Sequence, residues 1–330
     1  ILRSFTTSLR RLSSSTVSPI RRMTGSLLPV PTIGEDAIWQ YNTYLFDADG
    51  VLWKATEVVP GAINFIDKLL ELGKQVFIVT NNSTKTTEQY LKKLKNLGFG
   101  AITESNIVSP NVVMVDFFKR NPHFLSKDIY LIGSEAVRTT LENNFNVKVF
   151  GPGPDSVPDG AMFLDKVDIE RKASSVVVGY DPHISYMKIM KAANYLRDPN
   201  CGFFITNEDY TFPVPGADIV VPGTGVMAAS VRVAVHPRQP TVFGKPEETL
   251  ARYLMANFKI DSDKTIMFGD RLDTDIKFGN TNGFATCWMR TGVHSVSDVH
   301  RAQDGPDPTL VPQFTYSFEA HAAVSNGLSQ

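Results

Sequence analysis

The sequence predicts an α/β fold, a parallel sheet with helices on both faces, and two observations carry that expectation. First, Tyr44-Leu45-Phe46 runs into Asp47, Ile63, Ile66, Leu69 and Leu70 then recur at helical spacing, and Val76-Phe77-Ile78-Val79 follows. Strand, helix and strand in that order form a βαβ unit, whose strands lie parallel. Second, short apolar runs keep alternating with helical patterns further along. Leu91, Leu94 and Leu97 mark an amphipathic helix stopped by Gly98. The next strand candidates are Ile129 to Ile132, Val176 to Val178, Phe203 to Thr206, Val242-Phe243, Ile266 to Phe268 and Ala285 to Trp288. Gly151-Pro152-Gly153-Pro154 is a turn-rich connector, and Phe212 to Gly225, rich in Pro and Gly, is a second break.

A chain of 330 residues suits two domains. Lys and Arg total 33 against 34 Asp and Glu, so no broad basic field exists to hold nucleic acid or an anionic membrane. The expected partner is small. No apolar run approaches the roughly 18 residues that would span a bilayer. Cys201 and Cys287 are too few for a disulfide framework and lack zinc-ligand spacing, which favours a reducing compartment. Before Glu35 the chain holds Arg3, Arg10, Arg11, Arg21 and Arg22 and no acid. That is the composition of a mitochondrial presequence; a disordered tail, or a start at Met23, is the competing reading. Residues 1–35 are excluded from the expected fold.

The strongest chemical feature is Asp47-Ala48-Asp49-Gly50-Val51-Leu52-Trp53, directly after a strand. The carboxyl ends of parallel strands face the crevice where open α/β sheets bind ligands. Two carboxylates one residue apart in such a place call for a cation. A calcium loop is excluded, because its twelfth position from Asp47 is Val58 where a bidentate Glu is needed. Three more segments end strands in the same way: Val79-Thr80-Asn81-Asn82-Ser83, Phe243-Gly244-Lys245-Pro246, and Gly269-Asp270-Arg271-Leu272-Asp273-Thr274-Asp275. Singly each is a loop or a helix cap. A rival motif, Gly223-Thr224-Gly225-Val226-Met227-Ala228, fits the dinucleotide pattern Gly-x-Gly-x-x-Ala of an oxidoreductase. It lies far from the first βαβ unit and follows Pro222, so a plain helix start is preferred.

The joint order strand-Asp, strand-Thr, strand-Lys, strand-Asp resembles the haloacid dehalogenase superfamily. With Val176 to Asp181 and Pro-Gly-Thr-Gly at 222–225 added, the chain is similar to the eukaryotic phosphoglycolate phosphatase and para-nitrophenyl phosphatase family. Ala48 departs from that family, where Cys is frequent, without removing a charge. Thr80 and Lys245 lie 165 residues apart, against 33 between Asp47 and Thr80 and 25 between Lys245 and Asp270. The long gap holds an inserted domain, by resemblance an α/β cap of the large C2 type at 123–223. It would interrupt a Rossmann-like core at 36–122 and 224–330.

What the resemblance implies is Mg²⁺-dependent hydrolysis of small phosphomonoesters, 2-phosphoglycolate or para-nitrophenyl phosphate, through an aspartyl-phosphate. Asp47 would be the nucleophile and Asp49 the general acid and base. Mg²⁺ would sit on Asp47, Asp270 and the backbone carbonyl of Asp49, supported by Asp275. Thr80, Asn81, Asn82 and Lys245 would hold the phosphate, and Asp209, Tyr210 and Phe212 would form a substrate loop. The physical need is plain, since each unit-charge pair between a carboxylate and a phosphate dianion repels by ~4 kcal/mol at ~4 Å and an effective dielectric near 20. A phosphomutase of the same superfamily shares both aspartates and is the alternative. Small phosphorylated metabolites are the expected partners, with neither nucleic acid nor membrane, and a homodimer would form through the cap. The family points to the cytoplasm, the tail to mitochondria.

Overall fold

The computed structural model describes residues 29–155, 169, 171–212 and 219–322; the presequence reading falls outside them. Six strands form the first sheet, in the order Phe314–Tyr316, Ala285–Met289, Thr265–Gly269, Thr43–Phe46, Gln75–Val79 and Ile107–Val108. Every neighbouring pair is parallel. The central strand Thr43–Phe46 is buried at each residue, which is why its sequence is a run and not an alternation.

The helix Ala62–Glu71 closes the first βαβ unit, burying Ala62, Phe65, Ile66 and Leu69 on one stripe. The following helix, Thr87–Asn96, starts at a capping box in which Thr86 and Gln89 satisfy each other's backbone amides. Tyr90 and Leu94 are its buried residues. Gly98 stops it with a left-handed φ of +97°.

A second parallel sheet runs Thr241–Val242, Gly202–Ile205, Ala173–Val178, Asp128–Ile132 and Val149–Phe150. The boundary expected at 223/224 is displaced by this finding. The helix Thr224–Ala234 packs on Tyr186–Tyr195, and its Met227, Ala228 and Val231 join Tyr130, Val176 and Ile205 in one apolar cluster. Thr241–Val242 is the edge of the second sheet. The chain therefore returns to the first-sheet unit only after Val242; the sequence marks Val242-Phe243 as a strand, but so short a run does not tell which sheet it joins. Ile107–Val108, Val149–Phe150 and Phe314–Tyr316 escaped the sequence reading because runs of two or three residues carry no periodic signal.

Each sheet keeps an apolar cluster of its own on one face and shares a third with the other sheet. Leu45, Phe77 and Val79 of the first belong to the same apolar cluster as Leu131, Val177 and Phe204 of the second. Phe118 and Phe243 fill the junction, their rings 5.0 and 5.6 Å from that of Phe204. Among the described residues no helix is long and apolar enough to cross a membrane.

Candidate active site

Chemistry-bearing residues from both sheets converge on one crevice. Asp47, Thr80 and Asp270 leave the carboxyl ends of three first-sheet strands, and Lys245 follows the second-sheet strand Thr241–Val242 by three residues. The Lys245 ammonium, 1% exposed, contacts Asp47 Oδ1 at 2.6 Å and Asp275 Oδ1 at 2.7 Å and donates to the Val79 carbonyl at 2.7 Å. Three acceptors meet three protons. Burial works against this charge, but the Asp275 and Asp47 carboxylates outweigh it and hold the amine above its ordinary value. Asp47 is nevertheless pushed well above the usual carboxylate range, chiefly by burial, with Asp275 and Asp270 adding to it against the pull of Lys245. The two shifts agree once the charges are counted: one ammonium is divided between two carboxylates and leaves Asp47 under-compensated.

Asp47, Asp270 and Asp275 present carboxylate oxygens within 4.8 Å of one another. Asp270 is pushed up to about 7, first by burial and then by Asp275. Its Oδ2 accepts the Val293 amide at 2.7 Å, while Oδ1 is buried with no partner among the described residues. An orphaned buried carboxylate oxygen beside a second under-compensated carboxylate fits a hard divalent cation, and an all-oxygen set fits Mg²⁺. Asp275 differs from the other two. Its Oδ2 accepts the backbone amides of Asp270 and Arg271, and its Oδ1 holds Lys245. Asp275 thus braces the loop that carries Asp270 and steers the lysine. That loop is a wide helical turn over Leu272–Ile276, whose wider spacing brings the Ile276 amide to the Arg271 carbonyl.

Asp49 turns away from the carboxylate cluster. Its Oδ1 accepts the Trp53 indole N–H at 2.6 Å and the Lys93 ammonium at 3.2 Å. As a metal ligand through its side chain it is therefore misplaced, and only its backbone carbonyl remains for that role. Thr80 Oγ1 accepts from the Asn82 amide at 3.1 Å and from the Tyr90 hydroxyl at 3.2 Å, so its own proton is left to point elsewhere. The Asn81 side chain clasps the backbone of Lys245, accepting its N–H at 2.8 Å and donating to its carbonyl at 3.1 Å. The Asn82 side chain, expected at the phosphate, is engaged within its own loop. Its Oδ1 accepts the Thr84 amide and hydroxyl, closing an Asx turn, because a short side chain in a tight loop finds its own backbone first.

The proposed substrate loop divides. Asp209 is half-buried and accepts from Asn81 Nδ2 at 3.2 Å, which makes it a tie between the two units. Tyr210 is 68% exposed. Phe212 sits edge-on to Tyr180 at 5.5 Å, and the neighbouring Thr211 carbonyl accepts from Arg271 Nη1 at 3.1 Å. Arg271 also grips Asp273. Sequence reasoning passed over Arg271, Tyr90 and Lys93. Arg271 alone had a signal, its place next to Asp270.

Gly223-Thr224-Gly225 is a packing motif. The Gly223 and Gly225 amides donate to the Tyr210 and Asp209 carbonyls, and a Cβ at Gly225 would come within 2.5 Å of the Glu208 carbonyl oxygen. The start of that helix is filled by the 208–210 loop, which leaves no cradle for a pyrophosphate and removes the dinucleotide reading.

Comparison with known proteins agrees with this geometry. A model of haloacid dehalogenase-like hydrolases matches residues 44–144, and a HAD-hydrolase-like model matches 242–316. Glycerol-3-phosphate phosphatase of Mus musculus is 36% identical over 289 residues, covering 83% of this chain and 88% of that protein. A 4-nitrophenylphosphatase of Schizosaccharomyces pombe is 31% identical, covering 87% and 95%. A putative NipSnap protein of Caenorhabditis elegans is 52% identical over 247 residues, and the aligned part spans only 47% of that protein's length. The solved structure of a p-nitrophenyl phosphatase from Archaeoglobus fulgidus shares the fold at a TM-score of 0.69 with 24% identity, covering 85% of this chain and 97% of that one. Shared motifs, shared fold and near full-length similarity to named phosphatases lead to one assignment: the chain belongs to the haloacid dehalogenase-like hydrolases, as one of their phosphatases.

Proposed function

We propose that this phosphatase hydrolyses small phosphomonoesters through a phosphorylated Asp47, with Mg²⁺ as its cofactor. The observation that supports this best is the charge imbalance at the crevice, where among the described residues one buried lysine faces Asp47, Asp270 and Asp275 and one Asp270 oxygen has no partner. Asp47 and Asp270, with the Asp49 carbonyl that the family implies, would hold the Mg²⁺, whose charge would let a dianionic phosphate approach these acids.

The chain's own residues do the rest. The Thr80 hydroxyl and the Asn81 backbone N–H donate to the phosphoryl oxygens, and Lys245 balances the charge that develops there. An Asp47 oxygen attacks phosphorus while the bond to the alcohol oxygen breaks; that oxygen keeps the electron pair and takes a proton from Asp49. Asp49 then takes a proton from water, whose oxygen attacks phosphorus and frees the Asp47 carboxylate with release of inorganic phosphate. The substrates proposed are two- and three-carbon phosphomonoesters such as 2-phosphoglycolate and glycerol 3-phosphate. The support is relatives named for them, at 34% identity for a phosphoglycolate phosphatase of Arabidopsis thaliana and 36% for the mouse glycerol-3-phosphate phosphatase.

Purified protein should release phosphate from para-nitrophenyl phosphate only with Mg²⁺ present, and mass spectrometry of acid-quenched enzyme should find phosphate on the peptide containing Asp47. Full activity in excess chelator sinks the metal reading; phosphate found on another residue sinks the nucleophile.

Gly50 supplies a sharper test of the metal site. It adopts a φ of +92°, and a Cβ there would stand 2.6 Å from Asp270 Oδ2. Gly50→Ala should displace the Asp270 carboxylate, lower activity by about 10²-fold and raise the Mg²⁺ concentration giving half-maximal rate. An unchanged Mg²⁺ dependence would show that Asp270 does not depend on this close approach.

A further inference from the structure

Among the described acids of the crevice, Asp49 alone has a side chain lying half in solvent, with 50% of it exposed. A proton donor must stay within hydrogen-bonding reach of the departing oxygen, and a free aspartate at a site mouth has several rotamers to visit. A carboxylate two residues from Asp47 would also be drawn toward any cation held there. Something must hold it, and two residues do so: Trp53, at the end of the first motif, and Lys93, outside all four.

Trp53 opens the short hairpin Trp53–Lys54 with Glu57–Val58 and is wholly buried between Tyr90 and Phe99, with ring separations of 6.3 and 6.0 Å. Its indole N–H is therefore a fixed donor, at 2.6 Å from Asp49 Oδ1. Its backbone carbonyl accepts the Gly50 amide at 2.8 Å, so side chain and main chain of the Asp49-Gly50 step are tied to one residue. Lys93 comes from the helix Thr87–Asn96. Its ammonium lies 3.2 Å from the same Oδ1 and 4.4 Å from the centroid of the Trp53 ring. Tyr90, one turn earlier on that helix, donates to Thr80 Oγ1 and lies against Asp49. One capped helix thus touches both the phosphate-binding threonine and the acid.

We propose that Lys93 and Trp53 are the positioning pair of Asp49, holding its carboxylate at the mouth of the crevice and out of the Asp47, Asp270 and Asp275 cluster so that it serves the leaving alcohol. This rests on the acid and base role given to Asp49 above.

Leaving groups separate the proposal from a structural role. In a two-step mechanism kcat/KM covers events only up to departure of the alcohol. The para-nitrophenolate anion leaves without a proton, whereas the alkoxide of glycerol 3-phosphate needs one. Lys93→Met and Trp53→Phe should each lower kcat/KM for glycerol 3-phosphate by about tenfold, a fraction of the whole contribution of a general acid, and that for para-nitrophenyl phosphate by no more than about twofold. Lys93→Arg should restore most of the alkyl rate. Because a partly exposed ion pair contributes little to stability, Lys93→Met should melt close to wild type. In an Asp49→Asn background the same substitutions should have no further selective effect, since their action passes through Asp49. Equal losses on both esters, no loss on either, or a selective loss that persists without Asp49 would each overturn the proposal. If Asp49→Asn alone shows no difference between the two esters, it is the acid role of Asp49 that fails instead.

Discussion

Asp47→Asn is expected to lower phosphate release by at least about 10⁴-fold, on the scale seen when a nucleophile is removed, while the metal-free protein keeps or gains thermal stability. The amide is nearly isosteric with the acid but cannot form the phosphoenzyme. Stability should not suffer because the Asp47 carboxyl is already pushed up chiefly by burial, which means that the fold prefers it uncharged. Lys245 retains Asp275 at 2.7 Å and the Val79 carbonyl at 2.7 Å after the change. Thermal unfolding followed by circular dichroism in chelator checks this directly. A fall in the midpoint would mean that the pair with Lys245 outweighs the cost of burying the second carboxylate.

Deleting the other half of the same ion pair should act in the opposite sense. Lys245→Met removes the cation from among three carboxylates, leaves the Val79 carbonyl without its donor, and is expected to cost about 3–5 kcal/mol of stability. Loss of charge balance at the phosphoryl group should also reduce turnover by at least about 10²-fold. The stability of the metal-free wild-type fold should itself depend on pH, in a direction fixed by Asp270. Its carboxyl is pushed up from the ordinary value near 4 to about 7, mainly by burial. Below the unfolded value both states are protonated and nothing is lost. Between the two values the unfolded chain releases its proton while the folded chain retains it, so unfolding is favoured more as pH rises, and above about 7 the loss is complete. In chelator, the midpoint of wild type should therefore fall relative to Asp270→Asn as pH is raised across this window, and Mg²⁺ should restore it. A difference independent of pH would show that Asp270 is not strained by its surroundings.

Three central strands of the first sheet were readable because each ends an apolar run on a residue with chemistry: Phe46 on Asp47, Val79 on Thr80, Gly269 on Asp270. Local pattern carries that information. It does not carry Asn81, whose type suggested a loop and whose side chain turns out to clasp Lys245 from 164 residues away. Nor does it carry Lys93, an ordinary lysine on an amphipathic helix until the fold brings it beside Asp49, 44 residues earlier. Asn82 misled for the converse reason: it adjoins the site in sequence, but its bonds are to Thr84, two residues on. The misplaced boundary at 223/224 has the same origin, since pairing of Thr241–Val242 with Gly202–Ile205 is a long-range event that two residues cannot announce.

The apolar cluster common to both sheets has a consequence for how this protein can change. Phe118, Phe204 and Phe243 belong at once to both units, so neither should survive excision, and calorimetry should register a single cooperative transition instead of two. A chain built this way cannot exchange its inserted half for another as a module. New substrate preferences have to arise in the loops at the carboxyl ends of the second sheet, around Tyr180 and Phe212, where substitution leaves the common interior intact. Diversification is confined to the rim.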